Sequence, residues 1–195
     1  MLATDQTSEP KCSSKSDGID NGRMRLLIAC STVAALLLGA CSPTWNWREF
    51  RPQGTVVRLM LPCKPDLAQR QVVLGGHTLK MSLLSCKAGD ATFALAWSDL
   101  PSPAEVPQVM TQWTNATLGN VEGVAGPVSA FPVKGGNLLP QAVRASKSGK
   151  QSGGRELSFN GAWFSLGRSI FQASVHGAPQ TPEVLDTYFS GIGLP

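Results

Sequence analysis

The most constraining feature of this 195-residue chain is an apolar run that stops at a thiol. Leu26 to Leu38 is broken only by Ser31 and Thr32, and Gly39, Ala40 and Cys41 follow it. Its 13 residues fall short of the roughly 20 that a helix needs to cross a bilayer. Arg23 and Arg25 stand in front and small residues stand behind, so the segment has the three parts of a secretory leader. A chain exported this way folds where thiols oxidise, and nothing before the cut contributes to its core.

Leu38-Gly39-Ala40-Cys41 also stands in the order of the bacterial lipoprotein lipobox. A membrane-facing peptidase needs small residues beside its cut, and lipid transfer needs a thiol. The resemblance implies that Cys41 is the first residue of the mature protein and the lipid attachment site; the competing reading is an ordinary signal peptide with a cysteine there by chance. One acyl chain holds a protein to a bilayer only marginally, whereas two or more hold it stably. Lipid on Cys41 therefore implies a membrane partner that no protein surface has to supply. Ser42, where inner-membrane lipoproteins often carry Asp, leans toward the outer membrane. Residues 1–23 are polar and unlike a leader, and Met24 begins a tidier signal than Met1. The expected organisation is an upstream extension over 1–23, a signal peptide over 24–40, a tether over 41–54 and one domain over 55–195.

The mature chain, 41–195, is large enough to bury a core. Removing residues 1–40 takes away Lys11, Lys15, Arg23 and Arg25 with Asp5, Glu9, Asp17 and Asp20, which leaves the net charge at +4. The excess is scattered. A nucleic-acid partner calls for clustered Lys and Arg with stacking aromatics, so that class is excluded. With Cys12 upstream, Cys30 in the leader and Cys41 lipidated, Cys63 and Cys86 remain, and outside the cytosol they are expected to form a disulfide. Such a loop contributes about 3 kcal/mol in the chain-entropy picture. A metal site needs more ligands than two thiols, with His77 and His176 away from finger spacing. A redox pair prefers Cys-x-x-Cys.

Trp45, Trp47 and Phe50 crowd the tether. They can sit at headgroup level or pack onto the domain and clamp its first strand, and the second is expected, since aromatics this close to a fold find partners. Thr55–Leu61 reads as a strand and Pro62-Cys63-Lys64-Pro65-Asp66 as a turn. Gln71–Leu74 and His77–Ser85 flank the hairpin signal Gly75-Gly76, and Thr92–Trp97 alternates through Phe93, Leu95 and Trp97. Together these four predict an antiparallel meander. From Glu105 to Val121 the apolar period becomes helical, with Ser102 near its cap and Pro107 in the first turn. Val128–Val133, Ala142–Ser146, Arg155–Phe159, Ala162–Leu166 and Ser169–His176 read as further strands, with Lys147–Gly154 as an exposed tip. Thr181-Pro182-Glu183 starts a last helix that Gly191 ends. The fold class expected is α+β, an antiparallel sheet of about six or seven strands covered on one face by two helices.

The order of these signals resembles the PsbP-like fold and a family of small bacterial envelope lipoproteins. Asn46–Arg51, Leu61-Pro62-Cys63-Lys64-Pro65, Phe93-Ala94-Leu95 and Arg168–Val175 carry the resemblance, and 123–154 lies outside it. It implies a binding or assembly module and brings no catalytic residue, metal ligand or cofactor with it.

The residues themselves offer little chemistry. His77 beside the Gly75-Gly76 turn and His176 at a strand end are both expected at the surface, and neither belongs to a metal-binding pattern. There is no Gly-x-Ser-x-Gly elbow. Asp66, Asp90 and Asp99 fall at predicted turns, where aspartate bonds its own backbone. Trp97, Trp113 and Trp163 are expected in the core or covering the sheet, with an aromatic-lined groove between helix and sheet as the functional alternative. The expectation is therefore a non-catalytic, membrane-anchored envelope lipoprotein that faces the periplasm and binds an envelope protein. The alternative is a periplasmic enzyme or carrier acting on a lipid, glycan or small molecule. No cofactor is expected.

Overall fold

Period-two alternation dominates the chain and produces nine strands, read from a computed structural model that describes residues 44–150 and 154–195. Cys41 and the leader lie outside the described residues. In chain order the elements are β1 (Arg48–Phe50), β2 (Leu59–Leu61), β3 (Asp66–Leu74), β4 (His77–Ala88), β5 (Ala91–Asp99), α1 (Val106–Asn120), β6 (Val124–Ala130), β7 (Val143–Lys150), β8 (Glu156–Leu166), β9 (Ser169–Gly177) and α2 (Pro182–Ser190). β3 to β9 form one antiparallel sheet in the order β3-β4-β5-β9-β8-β7-β6, and β1 with β2 forms a second, two-stranded one. The protein is α+β: a seven-stranded sheet made of two meanders joined where β9 lies beside β5.

Local chemistry accounts for the turns and caps. Gly75 and Gly76 both take positive φ, 63° and 81°, as a two-residue hairpin turn requires, and they join β3 to β4 in unbroken register. Before α1, Ser102 Oγ accepts from the Ala104 N–H at 3.2 Å and starts a 3₁₀ turn over Pro103–Glu105. Pro107 sits in the first turn of α1, where its missing N–H costs nothing. Pro182 does the same in α2 after the Thr181 N-cap, although the Thr181 hydroxyl serves the Glu183 carboxylate rather than the backbone.

The sheet has two unlike faces, fixed by strand alternation. Phe93, Leu95 and Trp97 of β5, with Phe171, Ala173 and Val175 of β9, point to the face that carries β2, α2 and the C-terminal Ile192 and Leu194. The Cys63–Cys86 disulfide, with a Cα–Cα distance of 5.9 Å, ties the end of β2 to β4 on this side. Ile170 and Trp163 point to the other face and meet Val106, Val109 and Met110 of α1. The two helices thus cover the sheet from opposite sides, not from the same side.

Four elements differ from the sequence reading. β2 is only three residues long and pairs with β1, outside the meander, because the bridge between Arg58 and Gly193 holds its start against the C-terminal tail. β3 begins at Asp66, inside the predicted turn. Val124–Ala130, not Val128–Val133, is the strand after α1; Val133 is instead buried in the loop beyond it. Arg155–Phe159 and Ala162–Leu166 are one strand, β8, running straight through Gly161. A Cβ there would come within 2.7 Å of the Phe159 ring and 2.8 Å of the Trp163 ring. This glycine does not break the strand; it lets two large neighbours close over it.

The expected tether aromatics are packed. Trp45 and Trp47 approach Phe93 edge-on at centroid distances of 5.8 and 5.9 Å. Phe93 in turn meets the Tyr188 ring of α2 at 5.4 Å. The Tyr188 hydroxyl donates to the Ala94 carbonyl at 2.6 Å, which satisfies the only polar group of a fully buried ring. Burial also pushes its ionisation far above the ordinary tyrosine range.

Candidate functional site

The face under α1 is only partly filled. Cross-strand register places Ala145, Gly161, Ser174, Ala94 and Ser85 side by side on β7, β8, β9, β5 and β4. No side chain in that row is larger than serine. The Phe159 and Trp163 rings close over this row at Gly161, and Ala145 is buried in the core beside α1, so of the five it is Ser174 that borders open space. Larger residues bound that space. On one side Lys147, Phe159 and His176 stand in the next register row. On the other, Gln172 rises from β9 and accepts from Thr117 Oγ1 at 3.4 Å, while Trp113, Asn120 and Val121 of α1 and its end form the wall.

Two cavities result, of about 700 Å³ and about 410 Å³, and both are bordered by Asn120, Gln172 and Ser174. The larger, between the end of α1 and β7–β9, also meets Ser158, Lys150 and Glu122. The smaller is flanked by Trp113, Met81, Leu83 and Arg70. This size is that of small-molecule sites, and the lining mixes apolar surface with a few polar groups as such sites do.

Lys147 builds the wall. No basic residue stands in the last turn of α1, and its terminal carbonyls need partners. The Lys147 ammonium supplies them from β7, donating to Leu118 O at 2.9 Å and to Val121 O. A cation here also meets the negative end of the helix dipole. Lys147 was expected at an exposed tip; it is a strand residue that fixes where α1 stops. Residues 151–153 of that tip lie outside the described residues.

The other residues singled out by sequence fall apart in space. His77 is half-buried rather than exposed, with Nε2 3.2 Å from Glu105 Oε1. His176 is exposed, as expected, near the end of central strand β9 and at the border of the larger cavity. Partial desolvation there holds its pKa below the usual histidine value. Asp99 accepts from Ser169 Oγ and lies 3.8 Å from Arg168. Asp90 sits in the β4–β5 turn at φ 57°, and Asp66 opens β3. Among the described residues neither histidine has an aspartate as hydrogen-bond or ion-pair partner, and no three His, Cys, Asp or Glu residues come together as a metal site. Trp97 and Trp163 are buried in the two cores, whereas Trp113 stands at the smaller cavity. Among the described residues no helix is long and apolar enough to cross a membrane.

Gln172, Ser174 and Ser158 drew no attention in the sequence. Each is an ordinary polar residue in an alternating strand, and only the meeting of β8 and β9 with the end of α1 turns them into cavity borders. No family model matches this chain, and no curated protein matches it.

Proposed function

We propose that this chain is a lipid-anchored protein of the bacterial envelope, held through Cys41 and facing the periplasm, whose folded part is a non-catalytic binding module. The outer membrane is the favoured location, from Ser42. The observation that carries the binding role is the pair of cavities beside α1, of about 700 Å³ and about 410 Å³, both bordered by Asn120, Gln172 and Ser174. The disulfide between Cys63 and Cys86 supports an oxidising compartment. The resemblance of the sequence signals to PsbP-like modules is the ground for an assembly role beside an envelope protein. A photo-crosslinking residue at Ser158, in intact envelopes, is expected to yield one discrete protein adduct that Ser174→Trp abolishes by filling the larger cavity. Adducts unchanged by Ser174→Trp would defeat that cavity as the contact. Labelled palmitate is expected to enter the wild type and not Cys41→Ala; equal labelling would defeat the anchor.

A second reading, a carrier for a lipid, glycan or small molecule, draws on the cavity of about 700 Å³. Native mass spectrometry of protein extracted from envelopes separates the two. A bound small molecule lost in Ser174→Trp favours the carrier.

A further inference from the structure

The two outer strands of the main sheet are finished differently. β6 contains Pro127, which offers no N–H, and its pairing with β7 shifts register between Ala125 and Val128. Both devices spoil an edge for an incoming strand. β3 has neither. All nine of its residues pair with β4 in unbroken register, so its outer side presents N–H and C=O groups at regular intervals. Leu67 and Val73 remain 49% and 77% exposed along it. Its only charges are Asp66 and Arg70, and among the described residues neither takes part in an ion pair.

We propose that this edge is a homodimer interface, with β3 of one protomer pairing antiparallel with β3 of a second copy so that the sheet continues across a two-fold axis. The charges select both the occupant and the register. Asp66 and Arg70 are four residues apart and share a face of the sheet. With Ala68 on the axis, each Asp66 stands opposite Arg70 of the partner subunit, twice by symmetry. Opposite charges in directly facing positions stabilise such pairs. Centring the axis on Arg70 would use all nine residues but set that arginine against its own copy. The Ala68 register also stops naturally, because Pro65 has no N–H to extend the ladder. Five paired residues per protomer make a small interface, of the transient class below about 1,200 Å².

Trapping suits a transient pair. In the full chain, purified in detergent, Ala68→Cys is expected to give a covalent dimer with a short bis-thiol reagent. Wild type, which reports its own cysteines, is not. Gln71→Cys is not expected to react either, since its two copies lie about 20 Å apart in this register. Adding Asp66→Arg or Arg70→Asp to Ala68→Cys is expected to lower the dimer yield about tenfold by facing like charges twice. The double reversal D66R/R70D should restore it. All four positions are exposed, so the variants are expected to melt like wild type. Four results would each overturn the proposal: no dimer from Ala68→Cys above wild type, a dimer from Gln71→Cys as abundant, a yield indifferent to charge reversal, or Ala68→Cys captured by some other polypeptide.

Discussion

The two faces of the main sheet grow from the same strands and are put to opposite use. On the face that carries α2, β5 places Ala91, Phe93, Leu95 and Trp97 and β9 places Phe171, Ala173 and Val175, and Phe93 gathers Trp45, Trp47 and Tyr188 about itself. On the face under α1 the alternate positions of those strands include Ala94, Ala96, Gln172 and Ser174. Small and polar side chains there leave no apolar reason for α1 to settle over the whole sheet, so it packs where Ile170, Trp163 and Leu79 are and stops. One face holds the fold together and the other holds a space. If that division is right, large-to-small changes on the first face unfold the protein, while changes on the second leave it folded and alter what it binds.

The sharpest test pairs one residue from each face. Phe93 is fully buried at the centre of the aromatic cluster, so Phe93→Ala is expected to cost about 3–5 kcal/mol in denaturant unfolding. Gln172→Ala, on the cavity border, is expected to stay within about 0.5 kcal/mol. Comparable losses at the two sites would erase the distinction, since Gln172 would then be as structural as Phe93. Next in size is the disulfide, which joins Cys63 beyond β2 to Cys86 on β4. The Cys63→Ser/Cys86→Ser variant should lose about 3 kcal/mol. Hydrogen exchange should localise the loosening to Arg48–Leu61 on the closed face and leave α1 protected. Uniform loss of protection would show that the bridge serves both faces alike.

How much of this could be read from sequence follows the same division. The closed face was legible because its signals are local: Phe93, Leu95 and Trp97 alternate within five residues, Gly75-Gly76 sits between the strands it joins, and the cysteines are the pair left after the leader is counted. The segment from Thr55 to Leu61 was misplaced because its partner, Arg48–Phe50, reads as linker, and only the link from Arg58 to Gly193, across most of the chain, sets the pairing. β8 was split because a glycine in a strand signals a break unless the rings on either side are known to fill its place. The cavities were invisible. Asn120, Gln172 and Ser174, which border both cavities, come from α1 and β9, and nothing local in the sequence says that the one lies over the other. Lys147 was misjudged likewise: a lysine in a Gly/Ser-rich stretch reads as solvated until the carbonyls of a helix end 26 residues earlier are placed beside it.

The smallest effect expected is electrostatic, and it probes the open face alone. His176 is neutral more readily in the folded protein than in the unfolded chain, because partial desolvation at the cavity border lowers its pKa from the ordinary 6.5. As pH falls through 6.5, the unfolded chain therefore binds a proton at this position before the folded protein does. Proton binding to the unfolded state favours unfolding. Wild type should accordingly lose stability relative to His176→Gln as the pH drops below the value for a free histidine. The two curves should run parallel above about pH 7.5, where both states are neutral. His77, beside Glu105, is present in both proteins and cancels in the comparison. The ring is exposed on one side, and solvent screening keeps the difference small, so urea midpoints at pH 7.5 and pH 5 are the readout. Curves that stay parallel down to pH 5 would mean that water reaches His176 as freely in the folded protein as in the unfolded one. The cavity border would then be plain surface, and the open face would have no enclosed site to offer.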